Sequence, residues 1–283
     1  MENEKIEERE KELIPRGYEL LSRVKRLKSV YVRDDQYDFP WLLDSARISR
    51  KKGHRFGLID SGKLDSIHLE WLAEAGADIY TSDEARPNIS EIELMNRATK
   101  RGSAIIAFFH HGPLEMEEKE NLISISSLKE MGKGGIYIHL SNRERQRDFS
   151  LLGEIAFECR KGGSWLVYYH HGEFAPQLVD LARAAAWIHI SDQSFQRDEE
   201  MSLFAEDLKA AGMGGSKFIL HVEKRLGLFS LKAVLRAGAI VLFKGSLTDY
   251  RSPLRALERE LERETRKAKL DFRAYYLSTA FLP

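Results

Sequence analysis

Between Gly135 and Asp192 the chain writes one pattern and then begins it again. It runs strand (IYIHLSN), charged loop, helix (FSLLGEIAFECRKGG), strand (SWLVYYHHG) and helix (APQLVDLARA), and restarts as AWIHISD. Ser141-Asn142 followed by Gln146-Arg147-Asp148 returns as Ser191-Asp192 followed by Gln196-Arg197-Asp198. A repeated unit of this size buries its apolar faces by stacking on its own copies, which restricts the folds open to the chain.

The alternation extends in both directions. Strand-like segments are RFGLID, ADIYTS, AIIAFFHH, IYIHLSN, WLVYYHH, AWIHIS, KFILHVE and AIVLFKG, each followed by a helical stretch. Eight strands alternating with helices predict an α/β fold, a (βα)8 TIM-type barrel with internal two-strand repeats. Gly53, Gly76, Gly102, Gly162, Gly212 and Gly238 fall where helices must stop before a strand. Residues 1–28 are read as an N-terminal helical extension, broken at Pro15, with Leu20, Val24 and Leu27 on its buried side. Residues 29–283 then form a single barrel domain. Two more strand-like segments, SVYVRDD and FRAYYLSTAFL, are placed as flanking pieces, and a doubly wound open sheet is the alternative arrangement. The segment DFPWLL (38–43) echoes DFSLL (148–152), so the repeat reaches back toward the amino terminus.

Residues 237–246 (AGAIVLFKGS) resemble the last strand and phosphate loop of phosphate-binding (βα)8-barrel enzymes. The resemblance implies a phosphate or carboxylate ligand, with Lys244 and Ser246 near it. The glycine-rich turn that usually accompanies this loop is replaced by Val222-Glu223-Lys224-Arg225-Leu226-Gly227.

Charge narrows the partners. Lysine plus arginine equals aspartate plus glutamate at 44 each, which gives no electrostatic reason to expect nucleic acid or an anionic membrane. The one cysteine, Cys159, forbids an intrachain disulfide and reads as a small core residue of its helix. The densely charged start, MENEKIEEREKEL, is unlike a secretory leader, and no apolar run is long enough to span a bilayer. A cytoplasmic protein with a small-molecule ligand is expected, with homo-oligomerisation through the N-terminal helix as an alternative to its packing on the barrel.

Alternate strand residues face opposite sides, so each strand sorts into a helix-facing and an inward set. Seven of the nine histidines (110, 111, 139, 170, 171, 189 and 221) sit near the carboxyl ends of strands. The uniformly apolar sets are assigned to the helices. This turns inward His139, His189, His221, Tyr80 and Tyr169, with Asp60 on RFGLID and Lys244 on AIVLFKG. His111, His171 and Glu223 then ring the rim. A packed barrel interior is made of valine, isoleucine and leucine, so imidazoles there signal chemistry.

Three uses fit them. His139, His189 and His221 with Glu223 or Asp60 make a ligand set for a divalent metal such as zinc, manganese or magnesium. The same histidines serve as general acid and base without metal. Lys244 suits a Schiff base or a phosphate contact. His111, His171, Tyr169, Arg147, Arg197 and Ser246 are the expected substrate contacts. No phosphate-binding P-loop, dinucleotide fingerprint or nucleophile elbow is present, so no nucleotide cofactor is expected. The expected activity is hydrolysis, elimination or isomerisation of a small, polar, anionic metabolite. The alternative is a barrel that binds a ligand or partner without turnover, its imidazoles satisfied by tyrosines and serines.

Overall fold

A computed structural model describes residues 16–114, 123–211, 216–222 and 228–243. Among these residues nine strands alternate with helices. The strands are β1 (Ser29–Arg33), β2 (Arg55–Ile59), β3 (Ala77–Ser82), β4 (Ile106–Phe109), β5 (Tyr137–Ser141), β6 (Leu166–His170), β7 (Trp187–Ser191), β8 (Lys217–Val222) and β9 (Ile240–Phe243). The helices are α1 (16–26), α2 (Phe39–Lys51), α3 (Ser66–Glu74), α4 (Ile89–Gly102), α5 (Ile125–Lys133), α6 (Phe149–Lys161), α7 (Leu178–Arg183), α8 (Asp198–Ala211) and α9 (Leu228–Arg236).

The strands join in one sheet in the order β1 to β9, and every described pairing is parallel. This is an α/β fold with the sequential strand order of a TIM-type barrel. A doubly wound sheet is excluded, because its strand order must reverse at a switch point. Right-handed crossovers that always step the same way put successive helices on one face of a sheet, which frees the other face for chemistry.

One expectation is corrected here. SVYVR is no flanking piece but β1, paired in parallel with β2 from Ser29↔Arg55 to Arg33↔Ile59. The other segment set aside, FRAYYLSTAFL, lies outside the described residues, as does Gly212.

The chain divides into two compact units, one of residues up to Ser127 with Gly134–Tyr137, the other of Leu128–Lys133 with the residues from Ile138 onward. In the first, Phe56, Leu58, Leu69, Leu72, Ile79 and Ile92 are fully buried. Leu20 and Val24 of α1 are buried too, whereas Leu27 follows the helix and is exposed. In the second unit the helices declare which face they cover. Phe149 of α6 packs edge-on to Tyr168 (5.9 Å between centroids), and Phe204 of α8 does the same to Phe218 (5.4 Å). Tyr168 and His170 of β6, and Phe218 of β8, therefore face helices, and Tyr169 and His221 face the opposite side.

Gly102 differs from its expected role. Ser103, at φ 57°, is the left-handed residue that ends α4, while Gly102 is the last helical residue. What requires glycine is close approach, since a Cβ there would stand 1.8 Å from the carbonyl oxygen of Ala73 on α3. Gly102→Ala must push α3 and α4 apart, and it is expected to lower stability by about 1–3 kcal/mol, read as a shift in urea midpoint. Among the described residues no helix is long and apolar enough to cross a membrane.

Candidate functional site

The fold places a row of imidazole and phenol side chains on four consecutive strands of the second unit. His139 stands on β5, Tyr169 on β6, His189 on β7 and His221 on β8, each between 5 and 9% exposed. The register explains the continuity. Tyr169 pairs with His189 across β6 and β7, and Ser191, two residues along the same face, pairs with His221. His139 Nδ1 and the Tyr169 hydroxyl share a hydrogen bond of 3.0 Å. His189 Nδ1 and His221 Nε2 share another of 2.8 Å. The Tyr169 ring lies 5.8 Å from that of His139 and 4.4 Å from that of His189, linking the two pairs.

Burial sets the charge state of this row. His139 is pushed down to about 3 because the imidazolium would lose its water. His189 is held well below the ordinary histidine value by burial, and then by the proximity of His221 and His139. Burial also raises the Tyr169 phenol. At neutral pH these three side chains are uncharged, so each of the two imidazoles offers one N–H and one ring lone pair, and the phenol its O–H and oxygen lone pairs.

The remaining histidines near strand ends do other work. His170 faces the helices beside Tyr168, with ring centroids 6.1 Å apart, and its Nε2–H donates to the Glu173 carbonyl at 2.7 Å. His110, 3% exposed, donates from Nε2 to the Pro113 carbonyl at 3.0 Å and brings Nδ1 within 2.8 Å of the Asp83 carboxylate. Burial would raise the Asp83 carboxyl, but His110 and the N–H groups of Gly112 and His111 hold it below the usual carboxylate range. His111 and His171 lie past the strand ends, half-buried and exposed respectively. Their backbones clamp loops, with His111 N–H donating to Asp83 and His171 N–H donating to Asn142 at 2.7 Å.

Asp60 departs from its expected side. Thr81 donates to it at 2.7 Å, and Arg86 grips it with Nε at 2.9 Å and Nη2 at 3.1 Å. Thr81 and Tyr80 point to opposite faces of β3, so Asp60 belongs with Thr81 and away from the tyrosine face. The misreading has a physical source. Gly57, the residue that shows β2's inner face, carries no side chain, because a Cβ there would stand 2.2 Å from the Tyr31 ring.

Arg147 and Arg197 are also committed elsewhere. Arg147, 8% exposed, donates from Nε to the Ser141 carbonyl at 2.9 Å, fixing the loop after β5. Arg197 pairs with Glu200 at 2.9 Å on the exposed first turn of α8. Glu223, Lys244 and Ser246 lie outside the described residues. Among the described residues, no three His, Cys, Asp or Glu side chains gather as metal ligands. The expected set of His139, His189 and His221 is interrupted by Tyr169, which occupies the strand between the first two. Cys159 is fully buried, and burial pushes its thiol up to about 12, as suits a packing residue.

A signal missed in the sequence is the polar residue just past β1, β3, β5 and β7. Asp34 accepts from Ser61 N–H at 3.0 Å, Asp83 from His111 and Gly112, and Asn142 from His171. In each case the side chain holds the loop after the next strand, and Asp192 follows β7 at the equivalent place. The recurring Ser-Asp and Ser-Asn pairs were readable as this device.

An open groove of about 760 Å3 lies on the helix layer of the first unit, where Arg47, Arg50 and Lys51 of α2 approach Trp71 of α3. Its basic residues suit the carboxyl end of α2, and Arg50 donates to the Glu74 carbonyl at 2.7 Å. It is remote in sequence from the strand ends that carry the imidazoles.

Comparison of the sequence with protein-family models and with curated proteins gives no match.

Proposed function

We propose that this chain is an acid–base enzyme of the α/β barrel class, acting in the cytoplasm on a small polar metabolite held over the imidazole row of β5 to β8. One observation carries the reading: His139–Tyr169 and His189–His221 are bonded pairs buried on the sheet face opposite the helices. A polar group without a partner in such a place costs about 1–3 kcal/mol, and aliphatic side chains would avoid the cost entirely. Bonded imidazoles can take a proton from one substrate atom and return it to another, as hydrolysis, elimination and isomerisation all require. The exposed Arg143 and Arg145, on the loop after β5, suit a phosphate or carboxylate handle.

The rival is a binding module, favoured by the depressed basicity of His139 and His189, which suits a static network. A panel of small phosphorylated and carboxylated metabolites, screened by thermal shift and then incubated with protein under NMR observation, separates the two. The enzyme reading expects a compound that raises the melting temperature of wild type but not of His189→Ala, and that is converted on incubation. Stabilisation without conversion supports the module, and equal stabilisation of both proteins removes the row from either role.

A further inference from the structure

Helices α2 and α3 of the first unit are tied together in two places. Phe39 of α2 meets His68 of α3, with ring centroids 4.3 Å apart. Farther along, Arg50 of α2 donates from Nη1 to the Glu74 carbonyl at 2.7 Å and from Nη2 to the Arg101 carbonyl at 3.3 Å. Beside these contacts runs the open groove of about 760 Å3, where Leu43, Arg47 and Lys51 face Trp71 and Ala75. That volume lies within the roughly 300–1,000 Å3 that small-molecule sites use.

Trp71 is the residue whose place packing does not explain. It is 51% exposed, yet its indole is held by Phe39 and His68, at centroid distances of 5.9 and 5.7 Å. His68 is itself fixed, because its Nδ1 lies 2.8 Å from the carboxylate of Asp65, the cap of α3. A large ring whose plane is set beforehand, with half of its surface in water, is a ready stacking platform.

The charges across from it are cationic and only partly used. Glu74, the carboxylate of the groove, is engaged by Arg101, and the Arg50 guanidinium is spent on the two backbone carbonyls. Arg47 and Lys51 remain. Arg47 has Asp44 at 3.8 Å, with both side chains more than half exposed, a bridge that contributes little. Lys51 makes no hydrogen bond or ion pair among the described residues. The last turn of α2 favours its charge through the helix dipole but supplies no counterion.

We propose that this groove binds a small anion carried on a flat aromatic ring, the ring stacked on Trp71 and the phosphate or carboxylate held by Arg47 and Lys51. Stacking tolerates many rings, and the paired cations select for charge. The site is independent of the acid–base reading, since α2 and α3 belong to the first unit and the imidazole row to the second.

Naphthyl phosphate is the probe. Naphthol supplies the ring without the charge, and inorganic phosphate the charge without the ring. The indole N–H resonances of the four tryptophans are followed in 15N-labelled protein, with Trp71 assigned by its loss in Trp71→Leu. Saturable binding of naphthyl phosphate at millimolar concentration or below is expected, with the Trp71 signal moving. Trp71→Leu and the double variant Arg47→Gln with Lys51→Gln, each checked for folding by circular dichroism, are expected to bind about tenfold more weakly by calorimetry. All three side chains are exposed, so the fold should tolerate the changes. Raised salt is expected to weaken binding by wild type and to leave the double variant nearly unchanged. Equal binding of naphthol or of inorganic phosphate, unchanged affinity in either variant, or no saturation would overturn the proposal. A dimer in sedimentation that Trp71→Leu dissociates would overturn it too, by giving the groove to a second copy of the chain.

Discussion

Lowering the pH from 7.5 to 5 is expected to remove about 2 kcal/mol of stability through His139, with a further loss through His189. His139 and His189 are buried uncharged, with pKa values pushed to about 3 and well below the ordinary range, respectively. An unfolded histidine titrates near 6.5, so below that pH the unfolded chain binds protons that the folded one refuses. Stability is therefore intact above 6.5 and falls as pH drops toward the folded values, by about 1.4 kcal/mol per pH unit for each such imidazole. From 6.5 to 5 this is about 2 kcal/mol for His139, a sizeable fraction of the roughly 5–15 kcal/mol a domain has. Carboxylates held below their usual range, such as Asp83, give way only at lower pH and do not confuse this window. Urea midpoints at pH 7.5, 6.5, 5.5 and 5.0 measure the slope. His139→Gln keeps a partner for the Tyr169 hydroxyl but cannot titrate, and should flatten the slope by about one imidazole's share. A wild-type midpoint unchanged down to pH 5 would mean that the row is wet, and the burial on which the proposed chemistry depends would be lost with it.

Arg86→Met is expected to cost about 3–5 kcal/mol, the largest effect of any single change outside the row. Arg86 and Asp60 form a two-pronged pair whose side chains are 9% and 0% exposed, and the guanidinium also donates to the Leu64 carbonyl. Removing the cation leaves a sealed carboxylate with Thr81 Oγ1 and Gly62 N–H as its remaining donors. A stranded buried charge is far more costly than a pair removed whole. The double variant Asp60→Leu with Arg86→Met should consequently be more stable than Arg86→Met alone. The four urea midpoints of that cycle give the coupling directly, and a coupling under about 1 kcal/mol would place the pair among solvated surface bridges.

The two results bear on how the carboxylates and imidazoles divide their labour. Asp60, Asp83 and Asn142 each hold a loop at a strand's carboxyl end, by Arg86 and Thr81, by His110 and backbone N–H groups, and by the His171 backbone. These clamps steady the rim, apart from the imidazole and phenol row of β5 to β8.

Period and repeat were legible in the residues themselves. The alternation of IYIHLSN and AWIHISD turned His139 and His189 to one face, because apolar residues at every second position leave no other way to bury them. The echo of DFSLL in DFPWLL likewise marked SVYVR as the strand before a repeated helix, against the eight-strand count and the likeness of residues 237–246 to a barrel's last strand, which placed it as a flanking piece. What composition and spacing could not supply were distances across the sheet. Whether His189 meets His221, whether Tyr169 stands between His139 and His189, and whether Asp60 turns to Arg86 depend on register and on a glycine whose face is blank. The sequence by itself determined which residues could share a face, since side-chain direction follows from the backbone period. Only the tertiary structure decided which of them touch, because parallel strands are joined through long crossovers, and the register that brings two ring nitrogens to 2.8 Å is set by packing far from either.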